Sequence, residues 1–163
     1  MTFQDLIKAT GELLGLEELV PDEDGFCTLE SEDGAIDIAY FADEYKLVLL
    51  HAVVSEVPAE NSEAVILKAL EANCGFKKTG GATLSINPDT GCFELARFFA
   101  LEVLEPATLL AHLERFALSL VEVREMLKEG EMEDAESRKE DAVDEASSSS
   151  DPLVMGSHCF VRV

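Results

Sequence analysis

The sequence has few basic residues, 12 Lys and Arg against 34 Asp and Glu, so its formal net charge is −22. Nucleic acids and anionic membrane surfaces bind proteins through Lys and Arg, and neither is therefore an expected partner. The charge instead favours high solubility and a basic partner. Apolar runs fall well short of the roughly 20 residues that span a bilayer, so we expect no membrane insertion. The chain also starts without the charged and apolar regions of a signal peptide, which predicts a cytoplasmic protein.

Side chains that carry out chemistry are also scarce, with three His and four Cys in the whole chain. No Cys-x-x-Cys or His-x-x-x-His spacing joins them, which disfavours a metal site and favours free thiols. His51 lies within an apolar strand pattern, so a core histidine explains it better than a nucleophile pair with Cys92. Gly80-Gly81 is not followed by the Lys of a phosphate-binding loop. We therefore expect no enzymatic activity, no cofactor and no metal.

Hydrophobic periodicity predicts one α+β domain over residues 1–130. Apolar residues at helical spacing start at Phe3, where Thr2 can cap a helix that Gly15 ends. A turn at 87–91, Asn-Pro-Asp-Thr-Gly, joins two strands whose side chains alternate between apolar and polar. The predicted order is α-β-β-β-α-β-β-α, with a twisted antiparallel sheet packed by helices. The predicted strands cover 26–32, 35–40, 46–57 and both sides of the turn, and the later helices begin near residue 62 and near Pro106.

The composition changes after Gly130. Residues 131–151 hold nine acidic and two basic side chains, together with a run of serines at 147–150. Such a segment cannot bury enough apolar surface to fold, so we expect disorder there. The chain is thus divided into a domain over 1–130 and an acidic, Ser-rich tail over 131–163.

Short motifs follow one another between residues 3 and 127. They are Leu13-Leu14-Gly15-Leu16, Asp33-Gly34, Ala72-Asn73, Thr79-Gly80-Gly81-Ala82-Thr83-Leu84, Asn87-Pro88-Asp89-Thr90-Gly91 and Leu113-Glu114-Arg115-Phe116. In this order and spacing they resemble the class I type III secretion chaperones of the CesT/Tir-chaperone family. Members of that family often carry a tryptophan in the final helix, whereas this chain has none and residues 121–124 take that place.

The resemblance implies an acidic homodimer in the bacterial cytoplasm that binds the N-terminal segment of a secreted effector. Such a chaperone keeps the segment non-globular and soluble, and helps to deliver it to the secretion ATPase. The resemblance implies no catalytic residue and no cofactor. Two other functions stay open: an adaptor of the same fold that binds a folded protein, and an acidic decoy that mimics nucleic acid on a basic surface.

An effector segment without a fold of its own would bind in a groove between helix and sheet, or along an exposed strand edge. The predicted groove combines apolar residues of the first helix and the last strand: Phe3, Leu6, Ile7, Leu14, Phe93, Leu95 and Phe99. Stripes at helical spacing commonly close the core of a monomer, and that alternative stays open for each of them.

The second predicted helix is apolar on more than one side, so it needs two surfaces to pack against. One would be its own sheet, and the resemblance favours a second subunit as the other. The predicted dimer interface consists of Val65, Ile66, Ala69, Leu70 and Phe98. Because Phe98 and Phe99 are neighbours in a strand, they point to opposite faces, and one of them should face a partner.

Overall fold

The computed structural model describes residues 1–16, 18–31, 34–41, 45–60 and 62–148 as a five-stranded antiparallel sheet with three α-helices. The α+β class and the order of the elements agree with the sequence prediction. The elements are α1 (Phe3–Leu14), β1 (Phe26–Ser31), β2 (Gly34–Phe41), β3 (Leu47–Glu56), α2 (Ser62–Asn73), β4 (Thr83–Asn87), β5 (Cys92–Ala100) and α3 (Pro106–Ser148). Short 3₁₀ turns follow α2 at Cys74–Phe76 and β5 at Leu101–Val103.

Both ends of α1 are fixed by local interactions. The Thr2 hydroxyl accepts a hydrogen bond from the Asp5 N–H at 3.2 Å, and the Asp5 carboxylate accepts one from the Thr2 N–H at 3.2 Å. Hydrogen bonds from the Thr2 hydroxyl and N–H hold the pKa of Asp5 below its ordinary value. Gly15 closes the last turn with a φ of 73°, a left-handed conformation that glycine adopts without strain.

The strands lie in the order β1-β2-β3-β5-β4, and each neighbouring pair is antiparallel. The turn between β4 and β5 closes as predicted, because the Asn87 carbonyl accepts a hydrogen bond from the Gly91 N–H at 2.8 Å. The Asn87 side chain accepts a second one from the Asp89 N–H at 2.9 Å. The predicted Asp33-Gly34 turn lies between β1 and β2, and its first residue is outside the described residues.

The three helices pack on one face of the sheet, which we call the inner face. Buried residues alternate along β2, β3 and β5 on this face. The core joins them to the apolar stripes of the helices and includes Phe3, Leu6, Ile7, Ile38, Leu50, Val65, Ala69, Phe93, Leu95, Leu113, Phe116 and Leu120. The remaining strand side chains form the outer face, on which no helix packs in the described part of the chain.

Asn73 links the end of α2 to the edge strand β4. Its side-chain amide donates a hydrogen bond to the Leu84 carbonyl at 2.9 Å and accepts one from the Leu84 N–H at 2.9 Å. The amide thus takes the place of a neighbouring strand and satisfies both backbone groups of Leu84 on the open side of β4. The Ala72-Asn73 motif therefore has a structural role in closing the sheet edge.

The helix α3 extends past Gly130, where the composition of the chain changes. The helix continues to Ser148, through most of the segment for which the composition predicts disorder. Residues 131–148 are rich in Glu and Ala, and both residues have a high intrinsic preference for helix. The division into a domain and a tail stays a prediction, and residues 149–163 lie outside the described residues. Within the described ranges, no helix is both long and apolar enough to cross a membrane.

Candidate functional site

The outer face of the sheet carries two adjacent rows of apolar side chains. The strand register aligns Phe26, Ala39, Leu49 and Phe98 in one row, and Phe41, Leu47 and Ala100 in the next. Although they are large and apolar, Phe26, Phe41 and Phe98 are 47%, 40% and 54% exposed. We call the five large residues the outer apolar patch: Phe26, Phe41, Leu47, Leu49 and Phe98. Contiguous apolar surface of this kind marks an interaction site more often than isolated exposed residues do.

A row of polar side chains borders the outer apolar patch and crosses all five strands. The Thr28 hydroxyl donates a hydrogen bond to Asp37 at 2.7 Å, and Asp37 lies 3.4 Å from Nδ1 of His51. Nε2 of His51 lies 3.1 Å from Glu94, which also accepts a hydrogen bond from the Asn87 amide at 2.8 Å. We call these five residues the polar row. It limits the patch on one side with two carboxylates.

His51 is not the core residue that the sequence predicts. The side chains of β3 alternate between the two faces, and the pairing of His51 with Asp37 places the ring on the outer face. There it is half-buried between the carboxylates of Asp37 and Glu94. A neutral imidazole donates through one ring nitrogen only, whereas an imidazolium donates through both. Across the described ranges, no group of three or more His, Cys, Asp or Glu side chains is arranged to hold a metal ion.

Five of the predicted groove residues are buried in the core of this chain: Phe3, Leu6, Ile7, Phe93 and Leu95. They do not line an open groove, because the apolar side of α1 and the inner side of β5 both belong to the same buried core. Leu14 is exposed, and Phe99 is only partly buried against the core. These two remain accessible candidates, and the outer apolar patch supplies the surface that the buried five do not.

The predicted interface residues of α2 also divide into two groups. Val65 and Ala69 are buried in the core, so their side chains are not on the surface of the chain. Ile66 is partly buried, whereas Leu70 is 63% exposed. Leu67 is 57% exposed beside it and was missed, although its position three residues before Leu70 is the signal that would have found it. We call Ile66, Leu67 and Leu70 the α2 stripe.

The alternation of the two phenylalanines at the end of β5 is as predicted. Phe98 belongs to the outer apolar patch, and Phe99 packs on the inner face. The Phe99 ring stacks on His112 of α3 with the centroids 4.3 Å apart, and the Arg97 guanidinium lies 4.8 Å from the centroid of the same ring. Arg97 also donates a hydrogen bond from Nη1 to the Gly80 carbonyl at 2.7 Å.

Arg97 and His112 thus lie against Phe99, and the charge of Arg115 acts on both of them. We call Arg97, His112 and Arg115 the cationic cluster. Burial, followed by the charge of Arg115, lowers the pKa of Arg97. Burial, followed by Arg97 and Arg115, lowers the pKa of His112. Sequence reasoning missed the cluster because its members come from two elements, although Arg97 interrupts an otherwise apolar strand face.

The described thiols are free, and they differ in environment. Cys27 is buried on the inner face, and burial, followed by the charges of Asp22 and Asp37, raises the pKa of its thiol to about 11. Cys74 is exposed just after α2. Cys27 is therefore a packing residue, and its thiol is poorly suited to act as a nucleophile.

Comparison with known proteins gives a consistent result. The family model described as the Tir chaperone protein (CesT) family matches residues 5–124. No curated protein sequence matches the chain.

Several solved structures share the fold. A chain of the ExsC–ExsE complex has a TM-score of 0.64 at 19% identity and covers 76% of this chain and 92% of its own length. A chain of the HopA1–SchA chaperone–effector complex has a TM-score of 0.62 at 17% identity, with 76% and 93% covered. A chain of the heterodimeric ExoU–SpcU complex from the type III secretion system of Pseudomonas aeruginosa has a TM-score of 0.59 at 18% identity, with 74% and 96% covered.

Proposed function

The chain belongs to the Tir chaperone protein (CesT) family, and we propose that it binds the N-terminal segment of an effector exported by a type III secretion system. The chaperone acts in the bacterial cytoplasm, where it keeps this client segment soluble and non-globular and aids its delivery to the secretion apparatus, including the secretion ATPase. Similarity to a chain of a chaperone–effector complex supports the proposal. The function requires no catalytic residue, cofactor or metal.

The outer apolar patch is the observation that carries the proposal. A client segment without a fold exposes apolar side chains, and each one buried on binding contributes about 1.5–3 kcal/mol before the segment's ordering cost. A few contacts on Phe26, Phe41 and Phe98 are enough to offset the ordering cost of a short segment, which is about 2–5 kcal/mol or more. Leu14 and Phe99 are further candidate contacts from the predicted groove.

We further propose that the protein is a homodimer through the α2 stripe. Phe98, which the sequence predicts in the dimer interface, is assigned to the client surface instead, because it lies within the outer apolar patch. The inner side of α2 is occupied by its own core, whereas Leu67 and Leu70 project away from it. Two copies of the stripe facing each other would remove these leucines from water, and a two-fold interface places the same residues on both sides. Leu70→Glu should therefore give a monomer in sedimentation experiments, while the exposed Glu63→Gln on the same helix should stay dimeric.

The test of client binding is a pull-down from a secreting bacterium, followed by size-exclusion chromatography of the recovered complex. We expect an exported protein bound by its N-terminal segment, and loss of that protein with Phe98→Asp. Leu118→Asp is the matched control, because Leu118 is an exposed apolar residue on α3, away from the patch. A protein that captures no exported partner, or that captures one equally well with both variants, would contradict the proposal.

Limited proteolysis of the recovered complex separates the proposal from the adaptor alternative. A client segment held by a chaperone lacks a fold of its own, so it should be cut rapidly once it is released. A partner of an adaptor would keep its protease-resistant fold both in the complex and after release.

A further inference from the structure

We propose that the cationic cluster receives a carboxylate side chain of the client segment, so that the preferred client alternates apolar and acidic residues where it crosses the end of β5. The identity of the occupant rests on the proposed function. The site itself rests on Arg97, His112 and Arg115 and on the open edge of the strand beside them.

The first argument is the local charge. The chain carries a net charge of −22, yet Arg97 and His112 both lie against the ring of Phe99, and the charge of Arg115 acts on both of them. Within the described ranges, no carboxylate forms an ion pair with any of the three. The charges of Arg97 and Arg115 repel each other without a counter-charge, and a bound carboxylate would offset that repulsion.

The second argument is the open edge of β5. Pairing between β4 and β5 ends at Thr83 and Ala96, so β4 does not cover β5 beyond Ala96. Asn73 binds the N–H and C=O of Leu84 on the open edge of β4, opposite β5. By alternation, the N–H and C=O groups of Thr83 and Ser85 point to β5. By alternation, the backbone groups of Phe98 point to the same edge as those of Ala96.

No backbone hydrogen bond reaches the N–H or C=O of Phe98 from that side in the described part of the chain. An extended segment added there would alternate its side chains between the two faces of the sheet. Side chains on the outer face would contact Phe98 and the outer apolar patch. Side chains on the inner face would lie beside Arg97 and Phe99, where the cationic cluster favours a carboxylate.

The net negative charge of the protein predicts a preference for basic peptides, whereas the cationic cluster predicts a preference for acidic ones. Comparing the two kinds of peptide therefore tests the proposal. Three fluorescently labelled peptides of equal length alternate valine with glutamate, with glutamine or with lysine. Their affinities are measured by anisotropy at about 0.15 M ionic strength, where charges more than about 8 Å apart are largely screened. The cluster predicts that the glutamate peptide binds about threefold or more tightly than the glutamine peptide, and that the lysine peptide binds most weakly.

Arg115→Gln provides the decisive variant because Arg115 is exposed and lies beside like charges. If the cluster binds a carboxylate, this variant loses the preference for glutamate while its melting temperature stays equal or rises. A purely structural role would leave the preference unchanged. Lys128→Gln makes the same charge change on the same helix, about 20 Å along its axis, and should keep the preference.

Every outcome decides the proposal. The proposal is overturned if the lysine peptide binds most tightly and the glutamate peptide most weakly, if the three affinities are equal, or if no peptide binds. It is also overturned if the preference for the glutamate peptide survives in Arg115→Gln. The pull-down described above does not use these peptides, so it separates the two failures. A client captured equally by the wild type and by Arg115→Gln leaves the chaperone function in place and removes the carboxylate site.

Discussion

Replacing Asn73 by Ala should destabilise the protein by about 2–3 kcal/mol. The Asn73 amide makes two hydrogen bonds of 2.9 Å to the backbone of Leu84, whose side chain is buried in the core. Each net hydrogen bond is worth about 0.5–1.5 kcal/mol, and the loss of the amide also leaves two backbone groups without a partner at a partly buried edge. For a chain of this length, the change corresponds to a fall in melting temperature of about 5–10 °C.

Urea unfolding at a fixed protomer concentration measures this effect, because the stability of an associating protein depends on concentration. Glu71→Ala on the exposed side of the same helix is the matched control, and it should change the free energy of unfolding by less than about 0.5 kcal/mol. Asn73→Asp should be at least as damaging as Asn73→Ala at neutral pH, because a carboxylate oxygen would replace the N–H donor that faces the Leu84 carbonyl.

The reasoning is refuted if Asn73→Ala and Glu71→Ala have the same stability. Equal stability would mean that water satisfies the backbone of Leu84 as well as the amide does. It would also remove the structural explanation for the Ala72-Asn73 motif and weaken the assignment of the open edge farther along β5.

Three further predictions concern the core and its titratable groups. The pKa of His112 is lowered in the folded state, so the unfolded state binds the proton more readily. The free energy of unfolding should therefore fall as the pH drops below about 6.5. His112→Gln should reduce this dependence on pH, as measured by urea unfolding from pH 5 to 7.5. At pH 8, iodoacetamide should modify Cys74 rapidly and Cys27 only after unfolding, as mass spectrometry can show; equal rates would contradict the burial of Cys27. Gly80→Ala should destabilise the folded protein by about 2 kcal/mol or more in urea unfolding, because Gly80 has a φ of 61° and an added Cβ would clash with the Ser119 hydroxyl. Adding Ser119→Ala should recover part of this loss. Full stability of Gly80→Ala alone would refute the clash.

The sequence predicts most of the fold because the signals involved are local. A helix end depends on residues within one turn, and Thr2 and Gly15 cap α1 as expected. The Asn-Pro-Asp-Thr-Gly turn likewise fixes its own hydrogen bonds and joins β4 to β5. The alternation of Phe98 and Phe99 follows from strand geometry alone.

The outer apolar patch could not be predicted in the same way, because it depends on which strands are neighbours. Phe26, Leu49 and Phe98 are far apart in the sequence, and only the register of four strands aligns them. The same limit explains why the sequence predicts a groove position for Phe3 and Phe93, which are buried in the core. Periodicity identifies an apolar face, but it does not say whether that face packs within the monomer or on a partner.

Residues that have both apolar and charged neighbours are also hard to place from the sequence. His51 lies in an apolar strand pattern, but the carboxylates that contact it come from β2 and β5. The basic partners of Phe99 come from its own strand and from α3. In both cases a charged neighbour comes from a different element, and such neighbours leave no periodic signal in the sequence.

The large negative charge and the exposed apolar patch are explained together more easily than separately. If the patch binds a client as proposed, the same exposed apolar surface also invites association between copies, since hydrophobic attraction is not selective. A net charge of −22 opposes that association at long range, while at contact distance it does little to a client segment of moderate charge. On the proposed function, the acidic surface limits non-specific association between copies, and the outer apolar patch and the cationic cluster select the client segment at close range.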